Sequence, residues 1–159
     1  MANSTGALTL TTPSDREIVL TRVFDAPRTR VFDALTRPDL LTRWHGPHGW
    51  SLVVCEVDPK PRGACRFVWR RSANGAAMGM RGVYREVVPP ERLVHTERFD
   101  RPWYPGEAVI TTVLAEQDGR TTLTATLRYE SRAARDLVLG TAMEDGVAEG
   151  YDKLAELLK

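Results

Sequence analysis

Histidine and cysteine are scarce in this chain of 159 residues, which holds three of the first and two of the second. Metal chemistry is thereby limited, because zinc sites draw several ligands from these residue types. Net charge is also nearly absent. Lys and Arg number 22 against 21 Asp and Glu, for +1 overall, and the arginines are spread from Arg16 to Arg135 without forming a block. A nucleic-acid binder would show a basic stripe or face, so nucleic acid is excluded as a partner. No apolar run approaches the roughly 18 residues of a membrane span. The Ser/Thr-rich start lacks the charged-then-apolar pattern of a secretory signal. A cytoplasmic protein without membrane contact is expected. Two kinds of catalytic motif are missing as well. "SANGAAMGMRG" is rich in glycine but has neither the Lys nor the strand-to-helix context of a phosphate loop. "TTLTAT" is a strand and not an elbow around a nucleophilic Ser.

What is present reads as one soluble globular domain. Hydrophobic residues make up 42% and charged residues 27%, and a chain of this length can bury roughly 70% of the surface its unfolded form exposes. Residues 1–14 are small, polar and without period, and predict a disordered tail; residues 15–159 form the domain. "REIVLTRVF" alternates as a first strand, with Ile18, Leu20, Arg22 and Phe24 on one face. "DAPRTRVFDAL" follows as a short helix with Pro27 in its first turn, and a second short helix restarts at Pro38. From Ser51 the period changes to that of strands. Six runs follow: "SLVVCEV", "ACRFVWRR", "AMGMRGVYREVV", "RLVHTERF", "EAVITTVLAEQ" and "RTTLTATLRYE". The turn signals "DPKPRG", "SANG", "PPE", "DRPWYPG" and "QDG" separate them. Short connections imply antiparallel neighbours. The mixed face pattern fits one curved sheet covered on a single face.

The last segment carries the strongest helical pattern. Ser131 can cap it through its hydroxyl, and one long helix is predicted from Arg132 to Leu158. Ala133, Leu137, Gly140, Met143, Val147, Tyr151, Leu154 and Leu158 would form its buried face. Gly140, Gly146 and Gly150 each weaken a helix by about 1 kcal/mol against alanine. They mark either a kink or a close approach of backbone. Glu144, Asp145 and Glu149 read as a solvated face.

The stretch "RWHGPHGW", residues 43–50, raises the question of metal. His45 and His48 could join Cys55 and Cys65 in a set of the Cys2His2 kind. A hairpin centred near Lys60 would set the two cysteines opposite each other and hold them rigidly in the sheet. No metal is therefore expected, and the loop reads as a rigid turn at a cavity rim. The cysteines are expected to be reduced, although opposite placement would also allow a cross-strand disulfide. A second constellation has more chemistry. Cys65, Phe67 and Trp69 share one face of their strand, as do Leu93, His95, Glu97 and Phe99. Facing the helix, His95 and Glu97 would be polar groups in an apolar chamber, able to act as an acid–base pair. Facing solvent, they would be an ordinary surface pair. The inward placement is expected, because Leu93 and Phe99 share that side. Trp103 and Tyr104 either cover a cavity mouth or pack their own loop.

The order of strand, two short helices, six strands and long helix resembles the START-like, or helix-grip, superfamily (SRPBCC). Within it the chain resembles the family of homologues of the heat-shock-protein-90 ATPase activator. "VFDAPRTRVFDALTRPDLLTRWHGPHG", "DPKPRGACRFVWR", "RGVYREVVPPERLVHTERF" and "SRAARDLVLGTAMEDGVAEGYDKLAELL" carry the likeness, from about Arg16 to Leu158. It departs from the family where Arg62-Gly63 replaces a paired glycine and where His45 replaces an aromatic residue. The resemblance implies an α+β fold, with a curved seven-stranded antiparallel sheet around the long helix and a cavity between them. It implies binding of a hydrophobic or amphipathic small molecule, without cofactor or metal, by a monomer or homodimer. On this basis the cavity is expected to be bounded by Trp44, Phe67, Trp69, His95 and Glu97. Leu127 on the last strand, with Met143, Val147 and Tyr151 on the helix, would close it. A minority of the superfamily are cyclases or hydrolases, for which His95 and Glu97 would be the catalytic residues. A chaperone or regulator as protein partner is the third reading.

Overall fold

Alternation along "EIVLTRVF" sets the geometry of the whole sheet. In β2 (Glu17–Phe24) every second side chain is buried, from Ile18 through Leu20 and Arg22 to Phe24. The intervening residues keep partial exposure. The computed structural model describes residues 7–159. After β2 come α1 (Arg28–Thr36) and α2 (Pro38–Trp44), then β3 (Trp50–Val57), β4 (Ala64–Arg71), β5 (Ala77–Val88) and β6 (Arg92–Phe99). β7 (Ala108–Gln117), β8 (Arg120–Arg128), α3 (Arg132–Leu139) and α4 (Met143–Leu157) complete the chain.

One sheet results, with eight strands and not seven. The extra one is β1 (Thr9–Thr11), inside the segment expected to be a disordered tail. It pairs antiparallel with β2, Leu10 opposite Leu20, and so covers backbone groups that an edge strand would leave open. Leu8 and Leu10 pack against the core. Three residues are too few to display a period, which is why alternation did not reveal the strand. Residues 1–6 of the expected tail lie outside the described residues. The strand order is β1-β2-β8-β7-β6-β5-β4-β3, all neighbours antiparallel. Register shifts at Leu52/Val54 and Tyr84/Glu86 mark bulges, which bend a strand and add twist.

The β3–β4 register corrects the cysteine geometry. Cys55 faces Phe67 and Val57 faces Cys65, so the hairpin centres on Pro61 and the two cysteines are offset. Both are free thiols. Arg62 adopts a left-handed φ of 71° in this turn.

The C-terminal segment is two helices, not one. Ser131 caps α3 by accepting the Ala134 N–H at 3.1 Å. Gly140 closes α3, its N–H donating to Asp136 and Leu137 carbonyls. Thr141 then replaces the helical ladder with its hydroxyl, which donates to the Val138 carbonyl at 2.6 Å and accepts from the Met143 N–H at 3.2 Å. The break resets the phase of the apolar stripe. In α3 the buried residues are Ala134, Arg135 and Val138, while Leu137 is 51% exposed and Ala133 lies outside the core. The expected stripe holds only in α4 and its end, where Leu154 and Leu158 are buried.

α4 lies against the inward face of the sheet. Tyr151 meets Phe24 of β2 edge to face, ring centroids 5.7 Å apart. Arg22 beneath it is 3% exposed and pairs with Asp152 at 2.7 Å. Both contacts fix the distance between helix and sheet beside the space described next.

Candidate functional site

Inward rows of several strands meet the α4 stripe around one cavity of about 520 Å³. β4 contributes Cys65, Phe67 and Trp69; β6 contributes Leu93, His95, Glu97 and Phe99; α4 contributes Met143, Val147 and Tyr151. All nine residues expected from sequence line it: Trp44, Phe67, Trp69, His95 and Glu97 with Leu127, Met143, Val147 and Tyr151. His95 and Glu97 therefore face inward, and they touch, with Nε2 3.1 Å from a Glu97 carboxylate oxygen. Which atom donates in this contact is set by the tautomer of the imidazole. His95 Nδ1 is buried without a hydrogen-bond partner.

The loop at residues 43–50 is rigid for a reason that can be named. Trp44 is buried and its Nε1–H donates to the Ala34 carbonyl at 2.9 Å, tying the end of α2 to α1. Gly46 follows in a left-handed conformation, φ 118°. A Cβ at Gly46 would stand 2.9 Å from Cδ1 of Trp69. Gly150 of α4 packs on the Gly46 backbone, and the His48 N–H donates to Glu149 at 2.9 Å. Glu149 thus clamps the loop to α4 and is not merely a solvated residue.

His45 is missing from the nine wall residues expected from sequence, yet its ring lines the cavity between Phe67 and Trp69, with centroids 5.2 and 5.4 Å away. Burial drives its pKa down to about 4, against the attraction of Glu97, with His95 and Lys153 adding to the fall. At neutral pH it is an uncharged imidazole, and its Nδ1 also lacks a partner. His48 is exposed, so the two histidines diverge. Among the described residues no group of three or more His, Cys, Asp or Glu could hold a metal ion.

Tyr84 and Tyr129 were the larger omission, beside the expected Tyr151 and the Tyr104 already weighed for the cavity mouth. The chain has four tyrosines, and Tyr84, Tyr104, Tyr129 and Tyr151 all line the cavity. Burial raises each phenol above its ordinary pKa, so all four remain protonated. The signal was available: Tyr129 lies two residues beyond Leu127 on the same face of the strand path, and Tyr84 stands opposite His95. The loop carrying Trp103 and Tyr104 packs on its aromatic neighbours and also contributes to the cavity wall. Tyr104 is buried against Tyr129 at 5.1 Å, while Trp103 lines the cavity and stays 36% exposed. The Cys65 thiol also borders the space. Burial raises it to about 11, which leaves it protonated and unreactive at neutral pH.

The arrangement is an apolar, aromatic chamber with a few polar groups, the usual constitution of a small-molecule site. No helix among the described residues is long and apolar enough to cross a membrane.

Comparison with known proteins agrees with this architecture. A crystal structure of a protein from Rhodobacter sphaeroides is similar at 31% identity and a TM-score of 0.90, covering 95% of this chain and 97% of that one. A protein from Nitrosomonas europaea is similar at 27% identity and a TM-score of 0.81, covering 92% and 96%. The AHSA1 protein from Silicibacter pomeroyi, at 21% identity and a TM-score of 0.74 over 89% and 96%, shares the fold. No curated protein matches the chain. The family profile described as "Activator of Hsp90 ATPase homolog 1-like protein" matches residues 25–159, and the chain belongs to that family.

Proposed function

We propose that the chain binds a hydrophobic or amphipathic small molecule between the sheet and α4. The observation that carries this reading is the cavity of about 520 Å³, walled by apolar and aromatic side chains with His95, Glu97 and four tyrosines among its lining. Apolar walls standing this far apart forgo contacts with one another that a packed core would make, since interiors are otherwise close-packed. An occupant of matching character would recover them. The test is titration with Nile red, an uncharged apolar dye that brightens on leaving water. Saturable binding at one dye per folded chain is expected. Absence of binding, or binding only to the unfolded protein, contradicts the proposal.

The His95–Glu97 contact supports a second reading, an enzyme of the cyclase or hydrolase kind. A carboxylate that orients an imidazole is a common acid–base arrangement. In that case His95→Ala would lower turnover by orders of magnitude while dye affinity stayed the same. A pure binding protein would show no turnover to lose.

A further inference from the structure

The cavity is lopsided in charge. Glu97 is the one carboxylate on its wall, and among the described residues neither Lys nor Arg lines it. The buried guanidinium of Arg22 lies outside the lining; its Nη1 pairs with Asp152, while its Nε has no partner. His45 is held neutral by burial. One Glu97 oxygen, Oε2, meets His95. Oε1 has no hydrogen bond among the described residues and is not sealed off, for the side chain keeps 26% of its surface. Aromatic side chains make up much of the rest of the wall, Trp44, Phe67, Trp69 and Tyr151 together with Tyr104 and Tyr129.

We infer that the occupant is a hydrophobic amine, protonated, with its ammonium on Glu97 Oε1 and its apolar body among the aromatic rings. This rests on the proposed binding function and narrows it to a ligand class. An anionic amphiphile such as a fatty acid would bury its carboxylate beside Glu97 with no cationic side chain to receive it, which is costly. A neutral ligand would strip water from Glu97 Oε1 and return no donor, leaving an ionised acceptor unsatisfied. An ammonium group removes both penalties. It donates a charge-assisted hydrogen bond, and an aromatic wall is a favourable neighbour for a cation wherever a ring turns its face to it.

The test displaces Nile red at neutral pH with three probes of one shape: phenylbutylamine, phenylbutanol and phenylbutanoate. The amine should bind at least about tenfold more tightly than the alcohol, as expected for a hydrogen bond to a charged group, and the carboxylate most weakly. In Glu97→Gln the amine should fall to the affinity of the alcohol. Carboxylate binding equal to or tighter than amine binding would overturn the inference, as would an amine preference that survives Glu97→Gln. Should that variant not fold, the wild-type ranking decides by the same criterion. Alcohol binding without amine preference defeats this inference and leaves the binding function standing. Failure of the dye and all three probes to bind defeats both.

Discussion

Gly46 occupies a position that no other residue can share without strain. Its φ of 118° is in the region reserved for glycine, and the face where a Cβ would go is filled by the Trp69 indole. Gly46→Ala should therefore destabilise the protein by about 1–3 kcal/mol, read from the denaturant midpoint. Gly146 is the opposite case. A Cβ there would meet Pro47 at 3.6 Å, an ordinary contact, so Gly146→Ala should stabilise by up to about 1 kcal/mol through helix propensity alone. Equal effects at the two glycines would contradict this account of the loop. His45 gives a prediction in pH. Its ordinary pKa of 6.5 is lowered to about 4 in the fold, so between those values the unfolded chain holds a proton that the native state refuses. Its contribution to stability is complete above pH 6.5 and declines as pH falls toward 4, by at most about 1.4 kcal/mol per unit. His45→Gln should flatten that part of the profile, measured by denaturant unfolding at each pH; a slope identical to wild type would contradict burial of a neutral imidazole. Neither the burial of His45 nor the need for glycine at 46 was legible in "RWHGPHGW", since both depend on Trp69, a strand away.

At the scale of elements, strands were more legible than the C-terminal helices. Inward and outward residues alternate with a period of two, and turn residues punctuate the runs, so β4, β5 and β6 fall where the pattern put them. The break between α3 and α4 was hidden because a periodic apolar stripe continued through it on paper. Gly140 signalled a kink, while Gly150 signalled close approach to the Gly46 backbone; the two alternatives each hold at a different glycine. Thr141 completes the break with hydrogen bonds that sequence spacing does not announce. The division has an energetic consequence. Leu154 is fully buried in the closed end of the core, whereas Met143 borders the cavity and is only partly buried. Leu154→Ala should cost about 2–5 kcal/mol, as truncation of a packed leucine does, and Met143→Ala clearly less. Equal losses would mean that no empty space lies beside the start of α4. Asp152→Ala should also weaken the docking of α4, by about 1–2 kcal/mol, because it leaves Arg22 buried without its partner; the exposure of Asp152 keeps the figure below that of a fully buried pair. Arg22→Met, which removes the buried charge itself, should cost less than Asp152→Ala in the same unfolding assay.

At the scale of the molecule, the sheet and α4 are held apart at one end and closed at the other. Phe24–Tyr151 and Arg22–Asp152 set the spacing, the Gly46–Gly150 contact seals one flank, and Leu154 and Leu158 fill the far end. The wall of the resulting cavity was substantially readable in advance, because face-sharing residues on neighbouring strands must meet the same helix. What could not be read was its polarity. Four tyrosines, two imidazoles and one carboxylate come together from three elements and three connecting segments, and only the closed fold shows that among the described residues no lysine or arginine accompanies them. The claim that this space receives a ligand is tested most directly by filling it. Val147 stands on α4 and lines the cavity, so Val147→Trp would place an indole where the ligand is proposed to lie. Titration of Nile red into wild type and Val147→Trp, with far-ultraviolet circular dichroism to verify that both are folded, is the decisive measurement. Wild type should bind one dye per chain and the variant none. Undiminished binding by a folded Val147→Trp protein would contradict the account.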